Sequence, residues 1–465
     1  MLTRAGRYSS THAASNLRSV LYPMTNLSSL KSETPLRIIS GSGARVTDDH
    51  GKDYFEAIGG LWCTGLGWGN EELVEAASKQ MRDLSYYHGF GGRQVPVVEE
   101  LAAHLLETAP ERIRDGKVFF GLSGSDANDT QVRLIWHYNH ALGRSEKRKI
   151  ISRKRAYHGV TVAAGSLTGL PYVHKQMGLP LDFVARHLTC PSFYRDSFAN
   201  ESEADFVQRL AAEFEHCVLE EGPSTVAAFF AEPLQGAGGV VLPPKGYFSA
   251  MREVCDKYDI LMVGDEVITG FGRTGYMWGC QAMEQAPDLL SAAKQLTSGY
   301  VPLSAVMIPP RMYEVLEAST AEIGGVFGHG FTYSGHPVSC AVALKVLEII
   351  RRDRIIENVR EVLGPCFQKR LQSFANHTLV GEARGIGLIG ALELVADKSS
   401  GASFAPSRGI GARVVKAALD HGLIVRALPG DIIALCPPLT VTESEIHDIF
   451  DRLERALSDT LIHVS

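Results

Sequence analysis

The chain has no apolar run of the about eighteen to twenty residues needed to cross a bilayer. It also has no C-x-x-C pair. Its eight cysteines (Cys63, Cys190, Cys217, Cys255, Cys280, Cys340, Cys366 and Cys436) are scattered, which argues against a zinc ribbon or a disulfide framework and reads as the reduced thiols of an intracellular protein. Positive charge is not in excess: 46 Lys and Arg stand against 52 Asp and Glu, a formal net charge of -6 that would draw in neither nucleic acid nor an anionic membrane. No internal repeat, low-complexity tract or long charged run occurs. His137 and His140 lie three apart in a helical pattern, but no Cys or acid is spaced to complete a site, so no metal is expected. Acid is missing from the first 32 residues, where Arg4, Arg7, Arg18 and Lys31 sit among Ser and Ala. This faintly resembles an organelle transit peptide, and the expectation is an N-terminal arm on a cytoplasmic protein.

What is present points to a globular protein. The chain has 465 residues, 45% hydrophobic and 21% charged, enough for two or three domains around a large core. From about 117 to 308, short apolar runs at 118–120, 150–151, 226–230, 260–263 and 303–308 alternate with helical stretches, which predicts an α/β fold on a largely parallel sheet. After Pro337 the pattern becomes α+β: helices through Ile350 and Leu371, short strands at 387–394, 423–425 and 432–435, and a last helix from Thr442. A strand and turn at 44–51 is too short for its own domain and is expected to join the C-terminal part. The predicted division is a large domain over 75–325 and a small one built from 1–74 and 326–465.

Two G-x-G-x-x-G matches, Gly270 to Gly275 and Gly385 to Gly390, lack the strand-turn-helix setting of a dinucleotide site. Gly121 to Ser125 narrowly misses the G-x-S-x-G nucleophile elbow, failing at Ser125. That segment reads better as a strand passing into a helix near Ser125, with Leu134, Ile135, Tyr138 and Leu142 on one face. Free N–H groups at the helix start, Gly124 and the hydroxyls of Ser123 and Ser125 would suit a phosphate, although an ordinary serine N-cap explains the segment equally well. Lys294 lies among small residues about thirty positions after Asp265, and Asp265 closes the apolar run 260–263 where a strand would deliver it to the ligand-binding edge of a sheet. A lysine that can form a Schiff base and an acid that can keep a pyridine nitrogen protonated together suggest pyridoxal phosphate. Tyr157 offers a ring to stack on such a cofactor, though a lone Tyr is more often core.

In order along the chain, Leu61-Trp62-Cys63, Ser123-Gly124-Ser125, Tyr157-His158-Gly159, Glu232 to Gly239, Asp265 to Gly275, Lys294, His329 to Pro337 and Arg426 resemble the class III (omega) aminotransferases, from about residue 15 to the C-terminus. The resemblance implies a fold-type-I pyridoxal phosphate enzyme, with a mainly parallel seven-stranded sheet and a smaller α+β domain. It implies that Lys294 carries the Schiff base and shuttles the proton, that Asp265 pairs with the pyridine nitrogen, and that Val267 and Tyr157 sandwich the ring. Ser123, Gly124, Ser125, His158, Gly159, Glu232, Phe331 and Thr332 would complete the cofactor site, Thr332 reaching the phosphate of a neighbouring subunit in a homodimer, with a tetramer open. Trp62, Phe90, Tyr157, Ala237 and Phe331 would line the substrate pocket, and Arg426 would clamp the carboxylate of pyruvate. The implied reaction moves an amino group from a primary amine or omega-amino acid to pyruvate. A 2-oxoglutarate-dependent aminotransferase, an aminomutase or a decarboxylase of the same family is the alternative, and a nicotinamide dehydrogenase built on the glycine motifs is disfavoured. Tyr22 to Thr25 and Gly91 depart from the usual pocket residues and imply a reshaped pocket.

Overall fold

The computed structural model describes residues 19–31, 34–322 and 325–462, so the basic segment 1–18 lies outside the described residues. Its centre is a seven-stranded sheet formed by β1 (Lys117–Gly121), β2 (Lys149–Arg153), β3 (Val184–Leu188), β4 (Val226–Ala231), β5 (Leu261–Asp265), β6 (Leu289–Ala292) and β7 (Ser304–Ile308). The strands lie in the order β1-β7-β6-β5-β4-β2-β3. All pairings are parallel except those of β7, which runs antiparallel to both of its neighbours. β1 therefore points the same way as β6, and the carboxyl ends of β1, β2, β4, β5 and β6 share one edge with the start of β7.

Both faces of this sheet are covered, which is why its inner strands read as continuous apolar runs. Phe229 and Met262 face a cluster with Phe206, Phe214 and Phe248, while their neighbours Phe230 and Val263 face one with Leu134, Ile135 and Ile150. Each fully buried Phe contributes about 1.5–3 kcal/mol by leaving water. β3 and β6 are absent from the sequence reading. β3 is buried only at its ends, Val184 and Leu188, and carries Arg186 and His187 between them, and β6 is only four residues long. Neither makes the apolar run by which the others are recognised.

A second sheet pairs Ile38–Ser42, Arg45–Asp48 and Asp53–Glu56 with Leu423–Ile424, so the N-terminal strands are completed by a C-terminal one. A third consists of Val380–Ile386, Ile389–Leu394, Ile432–Leu435 and Arg426–Leu428. The strand expected at 423–425 is thus split: the chain changes sheets at Val425, and Arg426 opens the new strand. The strand expected to begin at Gly387 begins at Ile389, because Gly385 to Gly390 forms a hairpin in which Gly385 pairs with Gly390. Pro337 opens the Pro337–Arg352 helix at its first turn, where its missing N–H costs nothing. Among the described residues no helix is long and apolar enough to cross a membrane.

Candidate active site

Ligands of open α/β sheets gather at the carboxyl edge, and here that edge holds a cavity of about 350 Å³. Each strand end delivers part of its wall: Ser123, Gly124 and Ser125 after β1, Tyr157, His158 and Gly159 after β2, Glu232 after β4, Asp265 and Val267 at β5, and Lys294 after β6. The reversed strand β7 closes it from the opposite direction with residues 299–303.

The helix Gly124–Ala141 starts one residue before the position expected. Ser123 is its N-cap: its Oγ accepts from Asp126 N–H, and the Asp126 carboxylate accepts from the N–H groups of Leu122 and Ser123. The N–H groups of Gly124 and Ser125 have no acceptor among the described residues, and at the positive end of a helix dipole they suit an anion. The N-cap is thus observed, and the two open N–H groups leave room for an anion beside it. A Cβ on Gly124 would come within 2.9 Å of Val267 Cγ1, and one on Gly159, whose φ is +129°, within 2.5 Å of Ser125 Oγ. The backbone approaches closely at both places because there is no side chain.

Asp265 is only 3% exposed. Burial favours its neutral form, yet its pKa lies below the usual value, because His158 Nδ1 (2.8 Å) and Asn128 Nδ2 (2.8 Å) meet Oδ2 and Val267 N–H (3.1 Å) donates to Oδ1. Glu232 shows the opposite balance. Burial pushes it up to about 7 despite the nearby His158 and Arg153, and its oxygens accept from Tyr157 N–H and Gly236 N–H, tying two loops together. Tyr157 is also raised, first by burial and then by Tyr172, with Arg426 opposing.

Lys294 opens a short 3-10 turn with φ at +47°, a left-handed conformation that costs a non-glycine residue about 1–2 kcal/mol. Its side chain reaches the cavity, and no described residue forms a hydrogen bond or ion pair with its Nζ. Desolvation lowers its pKa; Cys63, Asp265 and Glu232 oppose this, and Arg426 adds to it. An amine biased toward its neutral form, an ionised acid with lone-pair capacity left, and open N–H groups at a helix start fit pyridoxal phosphate. Among the described residues no group of three His, Cys, Asp or Glu could hold a metal.

The family description Aminotransferase class-III matches residues 28–457. The chain belongs to the class-III aminotransferases. It is similar to gamma aminobutyrate transaminase 3, chloroplastic, of Solanum lycopersicum, with 46% identity over 92% of this chain and 81% of the relative. Among solved structures it is similar to the omega transaminase from Pseudomonas jessenii in complex with PMP, at 45% identity and a TM-score of 0.94, covering 97% of this chain and 98% of that one. It is also similar to a transaminase with L-Ala, at 46% identity and a TM-score of 0.90, covering 92% of this chain and 100% of that one. The protein is thus a pyridoxal phosphate-dependent aminotransferase with the fold-type-I architecture.

Other expected site residues of this aminotransferase stand outside the cavity wall of a single chain. Trp62 is 2% exposed and belongs to a cluster with Leu234 and Ile268, which do line the cavity, while its neighbour Cys63 faces in. Ala237 clusters with Leu170, Val173 and Tyr157 beside it. Arg426 acts through its charge on Tyr157, Tyr172 and Lys294, and its guanidinium has no hydrogen-bond or ion-pair partner among the described residues. Phe90 is 51% exposed, and a Cβ on Gly330 would touch it. Phe331 packs on Phe119 and His329, and Thr332 accepts through its carbonyl oxygen from Tyr86 OH. Tyr22 to Thr25 forms a largely exposed turn and is not among the residues lining the cavity. The sequence reading missed Asn128, Thr297, Tyr300 and Tyr172. Asn128 alone left a signal there, one helical turn after Gly124 and hence on the same face.

Proposed function

We propose that this aminotransferase moves an amino group from a primary amine or an omega-amino acid to pyruvate, releasing alanine and an aldehyde or ketone. The observation that carries the reading is the meeting, in one cavity, of a partnerless lysine amine biased toward neutrality and a carboxylate kept ionised by its donors. Bound pyridoxal phosphate supplies the aldehyde that captures amines and the ring that draws electrons from the substrate carbon. Lys294 Nζ anchors it and accepts the proton that the amine-bearing carbon gives up. Asp265 holds the proton of the pyridine nitrogen, supported by His158. Val267 and Tyr157 confine the ring, Ser123, Gly124 and Ser125 bind the phosphate beside Gly159, and Glu232 fixes the Tyr157 loop.

Arg426 takes the carboxylate of pyruvate or alanine in a bidentate fork, for which its unpaired guanidinium is available. With an uncharged substrate it turns away, and Trp62, Tyr157, Ala237, Phe90 and Phe331 shape the space for the substituent. Phe90, Phe331 and Thr332 fit this scheme as parts of a partner's site. The exposed aromatics around them, Tyr87, Phe90, Phe327 and Tyr333, form the kind of surface a second copy would cover. The alanine complex of one relative supports the acceptor, and the aminobutyrate activity in another's name supports an omega-amino acid donor.

The test is a panel of primary amines and omega-amino acids assayed with pyruvate and again with 2-oxoglutarate, measuring alanine, glutamate and carbon dioxide. Alanine formation with pyruvate is expected to dominate. Glutamate from 2-oxoglutarate with no alanine from pyruvate would overturn the acceptor, and carbon dioxide without either amino acid would overturn transamination of these donors.

A further inference from the structure

We propose that Asn128 is the positioning residue of Asp265, holding its carboxylate in one orientation and assigning Oδ1 as the oxygen that meets the cofactor. The inference rests on the reading that Asp265 serves the pyridine nitrogen.

Asn128 lies in the Gly124–Ala141 helix and is completely buried. Its Nδ2 donates to Asp265 Oδ2 at 2.8 Å and to the His158 carbonyl at 2.7 Å. Its Oδ1 accepts from Ser291 Oγ at 3.0 Å and from Gln131 Nε2 at 2.9 Å. A carboxylate and a backbone carbonyl only accept, so the amide edge facing them must be the NH2 edge, and the amide cannot flip without pressing its oxygen against two acceptors. The side chain thereby joins its own helix, the loop after β2, the end of β5 and β6, which carries Ser291.

The consequence falls on Asp265. Oδ2 has two partners, His158 Nδ1 and Asn128 Nδ2, whereas Oδ1 takes only Val267 N–H. Three donors fix the carboxylate plane, and the oxygen left with capacity for another donor is Oδ1. Asn128 carries no titratable group, so its two N–H donors are present at every pH. The ionisable groups facing Asp265 from neighbouring elements are His158 after β2, Glu232 after β4 and Lys294 after β6.

The test uses the holoenzyme reconstituted with pyridoxal phosphate carrying 15N in its ring, whose nitrogen resonance reports protonation. Asn128→Leu keeps the side chain's bulk and removes both donors. It should move the resonance toward the unprotonated position and lower kcat about tenfold to a hundredfold, the loss expected for a hydrogen bond to a charged group, while KM for pyruvate stays within about twofold. Ser291→Ala, which only loosens the amide, should shift both readouts the same way but less, and it stands in if the first variant does not fold. A residue that merely fills space would leave the resonance in place. A protonated nitrogen in the native enzyme and in both cofactor-bound variants would overturn the inference alone; an unprotonated nitrogen in the native enzyme would overturn the Asp265 reading and this inference with it.

Discussion

The floor of the cavity beneath Lys294 and the aromatic segments at 86–93 and 325–336 are both predicted to touch substrate or cofactor, yet they are built in opposite ways. At the floor, Asp265, His158 and Asn128 are buried and bonded to one another across three strand ends. In the aromatic segments Phe90, Phe327 and Tyr333 are exposed, and the bonds that hold the segments, such as Tyr86 OH to the Thr332 carbonyl, lie near the surface. Preorganised electrostatics need a dry, rigid setting. Residues awaiting a partner must stay at the surface. In the proposed homodimer, the groups that do the chemistry would come from one chain, and association would complete the outer wall of the pocket.

The largest effect should come from the floor. Lys294→Ala should fold normally and still bind pyridoxal phosphate noncovalently, but lose about 10³-fold or more in turnover, measured by steady-state kinetics beside circular dichroism and cofactor absorbance. Activity within tenfold of native would remove Lys294 from the chemistry. Next comes the proposed carboxylate clamp: Arg426→Ala should lower kcat/KM for pyruvate and alanine about tenfold to a hundredfold and leave an uncharged amine nearly unaffected. Equal losses for both substrate classes would make Arg426 structural.

The aromatic segments are tested by mixing two inactive proteins, Lys294→Ala and Thr332→Asp, and allowing subunits to exchange. If Thr332 serves the partner's site, each mixed dimer holds one intact site, and about a quarter of native activity should return. No return despite demonstrated exchange would break the comparison, since the loop would then serve its own chain. The smallest effect concerns pH. His329 stacks on Phe119, meets Thr130 Oγ1 through Nε2, and is pushed down to about 4 by burial and by Arg133. Its folded pKa lies below that of a free histidine, so the undocked loop binds more protons and docking weakens as pH falls from about 6.5 toward 4. Protection factors at 325–336, taken relative to the intrinsic exchange rate at each pH, should fall by pH 5 while those of the cavity floor hold, and His329→Phe should abolish that difference.

Much of the site was legible before any folding. Asp265, Tyr157 and the Ser123 to Ser125 turn each follow a short apolar run, a local signal of a strand end, whereas Lys294 was marked by the small residues around it and its spacing from Asp265. For Asn128 the sequence offered only its spacing, one helical turn after Gly124, and nothing of its role. A buried asparagine in a helix looks like any polar position until Asp265, 137 residues away, is brought against it. The reversed strand β7 was equally hidden, because an apolar run does not record its direction. Trp62 and Cys63 make the same point: adjacency in sequence says nothing about which of the two turns into the cavity.

By itself, then, the amino-acid sequence determined the α/β alternation, the strand ends before Ser123, Tyr157 and Asp265, and the residue types able to use pyridoxal phosphate, because periodicity and turn chemistry act over a few residues. Only the tertiary structure decided which strand ends share an edge, that Asp265 is held ionised while Glu232 is pushed toward neutrality, and that Phe90, Phe331 and Thr332 are not among the residues lining the cavity of their own chain. Those outcomes depend on strand order and on burial by distant segments, and electrostatic balance in a dry interior is set by what lies nearby in space.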